Sequence, residues 1–385
     1  MKLYAFCELG RGGISDYAHD QANALADQGV DVVLYCAPAL IEGRELRYDA
    51  RPVLADPRVG KATGSKVVRQ MALARSILAN FQRLHRDLAR LTPAHLLVHF
   101  SEYLAPLWAW RLKALRQAGW KVHTILHDPK REHVVGPEAW HRLSVEMALA
   151  QFDTIFVHTN ERGDCPPSAD VARIPYGIHA YPPPQKSRSE VRRELGIPEA
   201  VNLLTAFGFI RDNKNLDLVI DALKERPEFV LLVAGTEQGG GNKPISVYRE
   251  RAEAVGVADR VIWRTRFHSQ QEVADILSAS DLSVQTYARS FRSSSAALGV
   301  TFNYRLPCLV SSGAASTREL IEGGGVGLWV EPDDSTAIAD ALARFLTDPP
   351  KPDWHRFTYE NSWAMNATLV RRKLWGEAGL CRAVS

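Results

Sequence analysis

The chain has 385 residues, which is more than one hydrophobic core usually supports, so two domains are expected. Its composition, 46% hydrophobic, 24% charged and 9% aromatic, is typical of a globular protein and excludes a disordered or fibrous one. A net charge of +3, with no motif for RNA or DNA, gives no reason to expect a nucleic-acid partner.

The sequence predicts neither export nor a membrane span. The opening segment MKLYAFCELG is broken by Glu8 too early for a signal peptide and is typical of a buried first strand. Nowhere do eighteen apolar residues follow one another. The five cysteines are scattered without a C-x-x-C pair and are expected to be reduced. These features predict a cytoplasmic protein, whose only membrane contact would be peripheral, at the inner face.

The first half alternates short Val-, Leu- and Ile-rich runs with amphipathic stretches, the pattern of a doubly wound parallel sheet. Two predicted helices, 14–28 and 104–118, each end at a glycine. The predicted strands cover 2–7, 31–36, 95–99, 121–126, 154–157 and 171–174. This half therefore predicts one Rossmann-like domain, residues 1–180.

A proline run after Tyr181 predicts a stiff connector, and the alternation then restarts. Predicted strands cover 201–207, 229–234, 260–263, 282–285 and 307–311. Predicted helices cover 215–224, 244–255, 270–278, 294–305 and 335–346. Residues 181–363 thus predict a second Rossmann-like domain, and terminal helices at 364–385 are expected to pack on the first. Ligands of such sheets bind at the carboxyl ends of the strands, so two facing domains would enclose the site in a cleft.

A glycine-rich turn follows the first strand. Gly10-Arg11-Gly12-Gly13-Ile14-Ser15 opens a helix that continues with Asp16. Glycines let the backbone approach a ligand, and the N–H groups of a helix start attract anions. The spacing differs from G-x-G-x-x-G, which disfavours a dinucleotide. The alternative is a turn that serves only helix–strand packing.

Cations gather after the first strand of the second domain. Arg211 and Lys214 lie just past Gly208 and beside a helix start, where a planar fork and a compact charge complement a pyrophosphate. Solvated surface cations are the competing interpretation, but the position at a strand end disfavours it. Metal is not expected, because the acidic pairs lack the spacing of a magnesium site.

Two further loops of this domain are candidates for anion binding. Ser293-Ser294-Ser295 precedes a helix, and its hydroxyls could bind an anion, whereas helix capping would explain only one of them. Arg292 adds a possible phosphate contact. Gly235-Thr236-Glu237 opens a glycine-rich loop that either approaches a nucleotide or is a surface loop without a ligand.

His127 lies at a predicted strand end, where functional groups of this architecture concentrate, although a lone histidine is more often structural. Asp128 and Lys130 follow it and could position a substrate.

The stretch 61–90 carries seven Lys or Arg residues on an apolar helical pattern. It predicts either a helix that rests on anionic lipid or one packed on its domain with a solvated basic face.

In their order along the chain, these segments resemble the group 1, family-four-type glycosyltransferases of the GT-B fold. The resemblance extends over nearly the whole chain and rests on the turn Gly12-Gly13-Ile14-Ser15, on Leu126-His127-Asp128, on Ile174-Pro175-Tyr176-Gly177-Ile178, and on Gly208 to Arg211 with Lys214-Asn215. It implies two facing Rossmann-like domains.

The resemblance also assigns roles. It implies that Gly12, Gly13, Gly208, Gly235, Thr236 and Glu237 face the donor, that His127 lies near the transferred sugar, and that Ser15, Asp16, Asp128 and Lys130 lie toward the acceptor. The family usually carries two glutamates in the segment where this chain has Arg292 and Val300, so the ribose contact must differ here. Glu319 could contact the nucleotide instead.

The function implied is retaining, metal-independent transfer of a hexose from a UDP- or GDP-sugar to a glycan or lipid-linked acceptor in cell-surface polysaccharide or glycoconjugate synthesis. The nucleotide sugar is a co-substrate, and no further cofactor is expected. Two alternatives remain open. A nucleotide-sugar epimerase would need carboxylates at the cleft. A catalytically silent sugar-nucleotide or glycan binder is compatible with the missing glutamates.

Overall fold

A computed structural model describes residues 1–58, 66–99, 104–127, 137–160, 162–239, 241–292 and 295–376. The chain divides into two compact units: unit 1 is Met1–Gly177 with Asn361–Ser385, and unit 2 is Ile178–Glu360. Both divisions fall three residues before the predicted boundaries at 180 and 363. The proline run does not mark the division, because Gly177 already lies against Trp363 in unit 1 while Ile178 packs on Phe357 in unit 2.

Unit 1 contains a seven-stranded sheet in which all paired strands are parallel, in the order β3-β2-β1-β4-β5-β6-β7. The strands are β1 Lys2–Cys7, β2 Asp31–Cys36, β3 Asp49–Arg51, β4 His95–His99, β5 Lys121–Leu126, β6 Thr154–Val157 and β7 Val171–Arg173. The helices are α1 Gly13–Asp27, α2 Pro38–Ile41, α3 Lys66–Leu88, α4 Ala105–Gln117 and α5 Glu138–Leu149.

Unit 2 contains a six-stranded parallel sheet in the order β10-β9-β8-β11-β12-β13. Its strands are β8 Asn202–Phe207, β9 Phe229–Ala234, β10 Val261–Arg264, β11 Leu282–Thr286, β12 Cys308–Ser311 and β13 Gly327–Trp329. Its helices are α6 Arg188–Leu195, α7 Leu216–Leu223, α8 Ile245–Ala254, α9 Gln270–Ala279, α10 Ala296–Asn303, α11 Ala315–Gly324, α12 Ser335–Thr347 and α13 Trp354–Glu360. The predicted class, α/β with two parallel sheets, is confirmed.

Both sheets are covered on their two faces, which explains the nearly continuous apolar strands. In unit 1, Val98 belongs to a cluster on one side of the sheet, and Leu97 belongs to a cluster on the other side. The strand order reverses beside β1 and β4 in unit 1, and beside β8 and β11 in unit 2. Crevices at the carboxyl ends of such strand pairs are where open α/β sheets bind ligands.

The last helix, α14 Trp363–Trp375, lies against α1 in unit 1. Asn366 is fully buried there and donates hydrogen bonds to the hydroxyl of Tyr17 and to the carbonyl of Pro175, each 2.7 Å long. Gln21 donates to Asn366 at 2.8 Å. The end of the chain therefore holds α1 and the segment that leads into unit 2. None of the helices in the described ranges is long and apolar enough to cross a membrane.

Candidate functional site

The cationic pair of unit 2 lies at the carboxyl end of β8. The Lys214 ammonium donates a 2.6 Å hydrogen bond to the carbonyl of Phe207, the last residue of the strand, and lies 5.7 Å from the ring centroid of Tyr287. Arg211 lies 5.6 Å from the ring centroid of Phe209, and its Nε is buried. Both cations therefore stand where the first strand of the unit ends, as predicted from their spacing.

The charge state of Lys214 is sensitive to its surroundings. Burial, and after it the neighbouring Arg211 guanidinium, lower the pKa of the ammonium to about 7. A cation held next to another cation, away from solvent, is stabilised by any anion that enters between them. The pair is thus arranged to favour an anionic ligand, most of all one with two negative charges.

Glycines bring the turns after β8 and β9 into contact. Gly208 has a φ of +100°, and its amide donates to the carbonyl of Ala234 at 3.0 Å. A Cβ on Gly235 would lie 1.9 Å from the carbonyl oxygen of Gly208, so no other residue fits there. A Cβ on Gly208 would in turn lie 3.2 Å from Nζ of Lys214. Both glycines are needed for the shape of this edge.

The loop after Gly235 continues the contact. Ile210 donates its amide to the carbonyl of Thr236 at 2.9 Å, and Gln238 donates to the carbonyl of Ile210 at 3.2 Å. The exposed carboxylate of Glu237 accepts from the amide of Ile245, the first residue of α8. The two loops are therefore joined by backbone hydrogen bonds, and Glu237 has a local structural partner.

Ser295 is the described member of the predicted serine cluster, whereas Ser293 and Ser294 lie outside the described residues. Its hydroxyl accepts from the amide of Leu298 at 3.3 Å and so caps α10, and it also lies 2.6 Å from the hydroxyl of Tyr287. Tyr287 belongs to the loop after β11 and contacts Lys214. Ser295 is thus linked to the cationic pair through one aromatic side chain.

The two positions where the family usually has glutamates differ in environment. Arg292 is exposed and lines a hollow of about 320 Å³ together with Arg289 and Arg318. Val300 is buried in an apolar cluster with Leu277. Glu319, the suggested substitute, is exposed on α11 and does not line that hollow. Hence a glutamate at position 300 would lie among apolar side chains in this chain.

The glycine turn of unit 1 is fixed by its own contacts. Gly12, with a φ of +98°, precedes α1, and the amide of Asp16 donates to its carbonyl at 3.0 Å. Ser15 is fully buried and donates to the same carbonyl at 2.6 Å. Asp16 forms a 2.5 Å ion pair with Arg44. A Cβ on Gly13 would meet only the hydroxyl of Tyr176, 3.8 Å away.

Histidines follow three neighbouring strands of unit 1. His99 ends β4, His127 follows β5, and His158 follows β6. Their rings surround Tyr17, whose centroid is 4.6 Å from that of His127, 5.3 Å from His158 and 5.9 Å from His99. Of the three, only His127 is predicted as a site residue from the sequence. The recurrence of histidine at three successive strand ends was the signal for the other two.

Two members of the histidine cluster, His99 and His158, are neutral at ordinary pH. Burial lowers the pKa of His99 to about 3 and that of His158 to about 4. Nδ1 of His127 lies 3.2 Å from Nε2 of His158. Asp128 and Lys130, predicted beside His127, lie outside the described residues.

A carboxylate also lies at a strand end of unit 1. Glu8, directly after β1, is buried at 2% exposure and accepts a 3.1 Å hydrogen bond from Asn80. It was not predicted as a site residue, because a single acidic residue after a strand carries no spacing signal. Within the described residues, no three His, Cys, Asp or Glu side chains come together as metal ligands would.

Both units thus have glycine turns and polar side chains at the carboxyl ends of parallel strands, and unit 2 adds a cationic pair suited to a diphosphate. That arrangement is typical of a Rossmann-like α/β protein. Residues 187–361 match the family "glycosyl transferases group 1". Over 99% of this chain and 98% of the other, the fold resembles that of Anabaena HepE in complex with UDP, with a TM-score of 0.66 and 15% identity.

Relatives found by sequence similarity are also named as glycosyltransferases. The lipopolysaccharide core biosynthesis mannosyltransferase LpsB of Rhizobium meliloti is 29% identical over 177 residues, 44% of this chain and 48% of LpsB, so the match spans about half of that relative. The D-inositol 3-phosphate glycosyltransferase of Stackebrandtia nassauensis is 25% identical over 88% of this chain and 80% of its own length. The second half of the chain therefore matches the group 1 glycosyltransferases, and the chain as a whole resembles solved glycosyltransferases of the GT-B fold.

Proposed function

We propose that the protein transfers a hexose from a UDP- or GDP-sugar to a glycan or lipid-linked acceptor, with retention of the anomeric configuration. The observation that carries this proposal is the pair Arg211 and Lys214 at the end of β8. Departure of a nucleoside diphosphate develops negative charge on the leaving group, and preorganised cations stabilise that change more than they stabilise the bound donor.

The contact between Gly208 and Gly235 supports the same role. Because neither residue has a side chain, the two turns lie close together beside Lys214, at the strand ends where a phosphate would bind. The amides of both glycines already donate to backbone carbonyls, so the phosphate contacts are assigned to the cations. The HepE structures contain UDP, one of them with glucose, which supports a nucleotide sugar as donor here. LpsB takes part in lipopolysaccharide core biosynthesis, which supports a cell-surface glycan as product.

The reaction proposed needs no metal and no further cofactor, since Arg211 and Lys214 would neutralise the departing diphosphate. His127 would contact the transferred sugar, as the family resemblance implies. If a divalent metal ion neutralised the diphosphate instead, EDTA would abolish turnover. We expect turnover to persist in EDTA. Retention would be seen as an α-linked product from an α-linked donor in the NMR spectrum of the anomeric proton.

Donor binding is tested by thermal unfolding with UDP, GDP and no nucleotide. We expect one nucleotide to raise the melting temperature, and Arg211→Ala to abolish the shift, because it removes one of two phosphate-binding cations. Arg193→Ala, an exposed arginine on α6, is the matched control and should keep the wild-type shift. A wild-type protein that responds to neither nucleotide would refute the donor-site assignment.

Peripheral membrane contact through 61–90 is part of the proposal for a lipid-linked acceptor. The described part of this stretch forms α3, on which Val68 and Met71 are 55% and 67% exposed beside the exposed Arg75. Apolar side chains next to cations suit an anionic bilayer surface. Sedimentation with phosphatidylglycerol vesicles, but not with phosphatidylcholine vesicles, is expected. Met71→Glu should abolish it, and equal binding of variant and wild type would contradict this contact.

A further inference from the structure

His127 and His158 form a directed pair of imidazoles in unit 1. Nδ1 of His158 lies 3.2 Å from the carbonyl oxygen of Ile174. Nε2 of His158 lies 3.2 Å from Nδ1 of His127. A carbonyl oxygen only accepts hydrogen bonds, so Nδ1 of His158 carries a proton and donates it. In a neutral ring the other nitrogen then has no proton and must accept.

The tautomer of His127 follows from that of His158. Since Nε2 of His158 accepts, Nδ1 of His127 must be the donor, and Nε2 of His127 then carries the lone pair when the ring is neutral. The low pKa of His158, caused mainly by burial, keeps its ring neutral at pH 7. The direction of the pair is therefore set by a backbone carbonyl.

Packing holds the ring of His127 in this orientation. The Tyr17 ring meets it edge-on, with centroids 4.6 Å apart and planes at 80°. Tyr17 is itself fixed, because it is fully buried and its hydroxyl accepts from Asn366 at 2.7 Å. A half-turn of the His127 ring would replace Nδ1 by a carbon and break the hydrogen bond to His158. The rotated ring has a carbon, not a nitrogen, opposite Nε2 of His158, so the observed orientation is the one that keeps this hydrogen bond.

We propose that His158 is a positioning residue that fixes His127 as the Nδ1–H tautomer, so that Nε2 of His127 is a hydrogen-bond acceptor. The tautomer of His127 is independent of the proposed function, and only the identity of the group that Nε2 binds rests on that function. A group bound by Nε2 must donate a proton in a hydrogen bond. A sugar hydroxyl can donate to a bare Nε2, whereas an ionised phosphate oxygen cannot, so this tautomer fits the contact with the transferred sugar that the family resemblance implies.

The tautomer can be measured without substrate. Long-range ¹H–¹⁵N correlation spectra of the protein labelled with [¹⁵N]histidine, recorded at pH 7, distinguish a protonated ring nitrogen from a bare one. Signals of His127 are assigned by their loss in His127→Gln. We expect a protonated Nδ1 and a bare Nε2 in the wild type. His158→Phe removes the acceptor, and His127 should then shift toward the Nε2–H form that free histidine prefers.

His158→Gln is the conservative control. Its amide can donate to the carbonyl of Ile174 and accept from Nδ1 of His127, so the wild-type pattern should return. Once the nucleotide-sugar donor is identified, His158→Phe should lower kcat more than it changes KM for that nucleotide sugar. His158→Gln should recover most of the wild-type kcat. An Nε2–H form of His127 in the wild type, or an unchanged His127 in His158→Phe, would overturn the inference. Neither result depends on nucleotide binding, so failure of the donor-binding assay is a separate outcome.

Discussion

The pH dependence of donor binding follows from the unusual position of Lys214. Its pKa is lowered to about 7, mainly by burial and further by Arg211. A group with that pKa is charged in about nine molecules of ten at pH 6 and in about one of ten at pH 8. If only the ammonium form binds the diphosphate strongly, the affinity for a nucleotide sugar should fall about tenfold from pH 6 to pH 8.

An ordinary lysine stays charged over this range and would give no such decline in affinity. Calorimetric titration at pH 6, 7 and 8 measures it, with UDP-glucose or GDP-mannose as ligand. A nucleotide sugar is preferred to UDP because a terminal phosphate titrates near pH 6 and would add its own dependence. Lys214→Met should bind more weakly at pH 6 and show no such decline.

Arg211→Lys offers a second check, because it keeps a positive charge beside Lys214 while it removes the planar fork. The decline with pH should remain, at lower overall affinity. The stability of the free protein changes in the opposite direction, because it rises as the pH rises from about 7 toward the ordinary pKa of lysine. The unfolded chain retains the normal pKa of Lys214, so the charged form is disfavoured only in the folded state, and Lys214→Met should raise the melting temperature at pH 6. An affinity that is constant or that rises with pH would refute this account of Lys214.

Two further predictions concern packing. Gly235→Ala places a Cβ 1.9 Å from the carbonyl oxygen of Gly208, so it should lower the free energy of unfolding by about 2–4 kcal/mol and weaken UDP binding. The control Gly239→Ala meets nothing within 4 Å and should change neither quantity. Equal melting temperatures of the two variants in calorimetry would contradict this prediction. Asn366→Leu removes the shorter of the two hydrogen bonds that the buried hydroxyl of Tyr17 accepts, and leaves only the 3.4 Å bond from Gln21. It should lower the free energy of unfolding in urea by about 1–3 kcal/mol, and a loss below about 0.5 kcal/mol would show that the contact contributes little.

Much of the fold could be predicted from the sequence, because apolar runs bounded by glycines determine strands in a sheet buried on both faces. The boundaries of β1 and β9 follow from this directly. Two short edge strands, β3 and β13, were not predicted, although the equally short edge strand β7 was. The three residues of β3, Asp49–Arg51, include two charged side chains and carry no apolar run. α11 was missed as well, because Ala315–Gly324 is interrupted by polar residues and ends in two glycines.

The site was predicted unevenly. Arg211 and Lys214 could be chosen because their position after a strand end can be derived from local pattern. The histidine cluster was predicted only in part: a histidine after each of β4, β5 and β6 was a signal in the sequence, but only the strand order of the sheet shows that His99 and His158 lie beside His127. The division after Gly177 depended on contact with Trp363, which is distant in sequence and carries no local signal.

The most direct test of the proposed activity is a screen of UDP- and GDP-sugars for turnover, read by mass spectrometry as release of UDP or GDP. The account predicts that one donor is consumed, and that Arg211→Ala lowers kcat/KM for it by about 100-fold or more while Arg193→Ala does not. Consumption of that donor by Arg211→Ala at the wild-type rate, or consumption of none by the wild type, would contradict it.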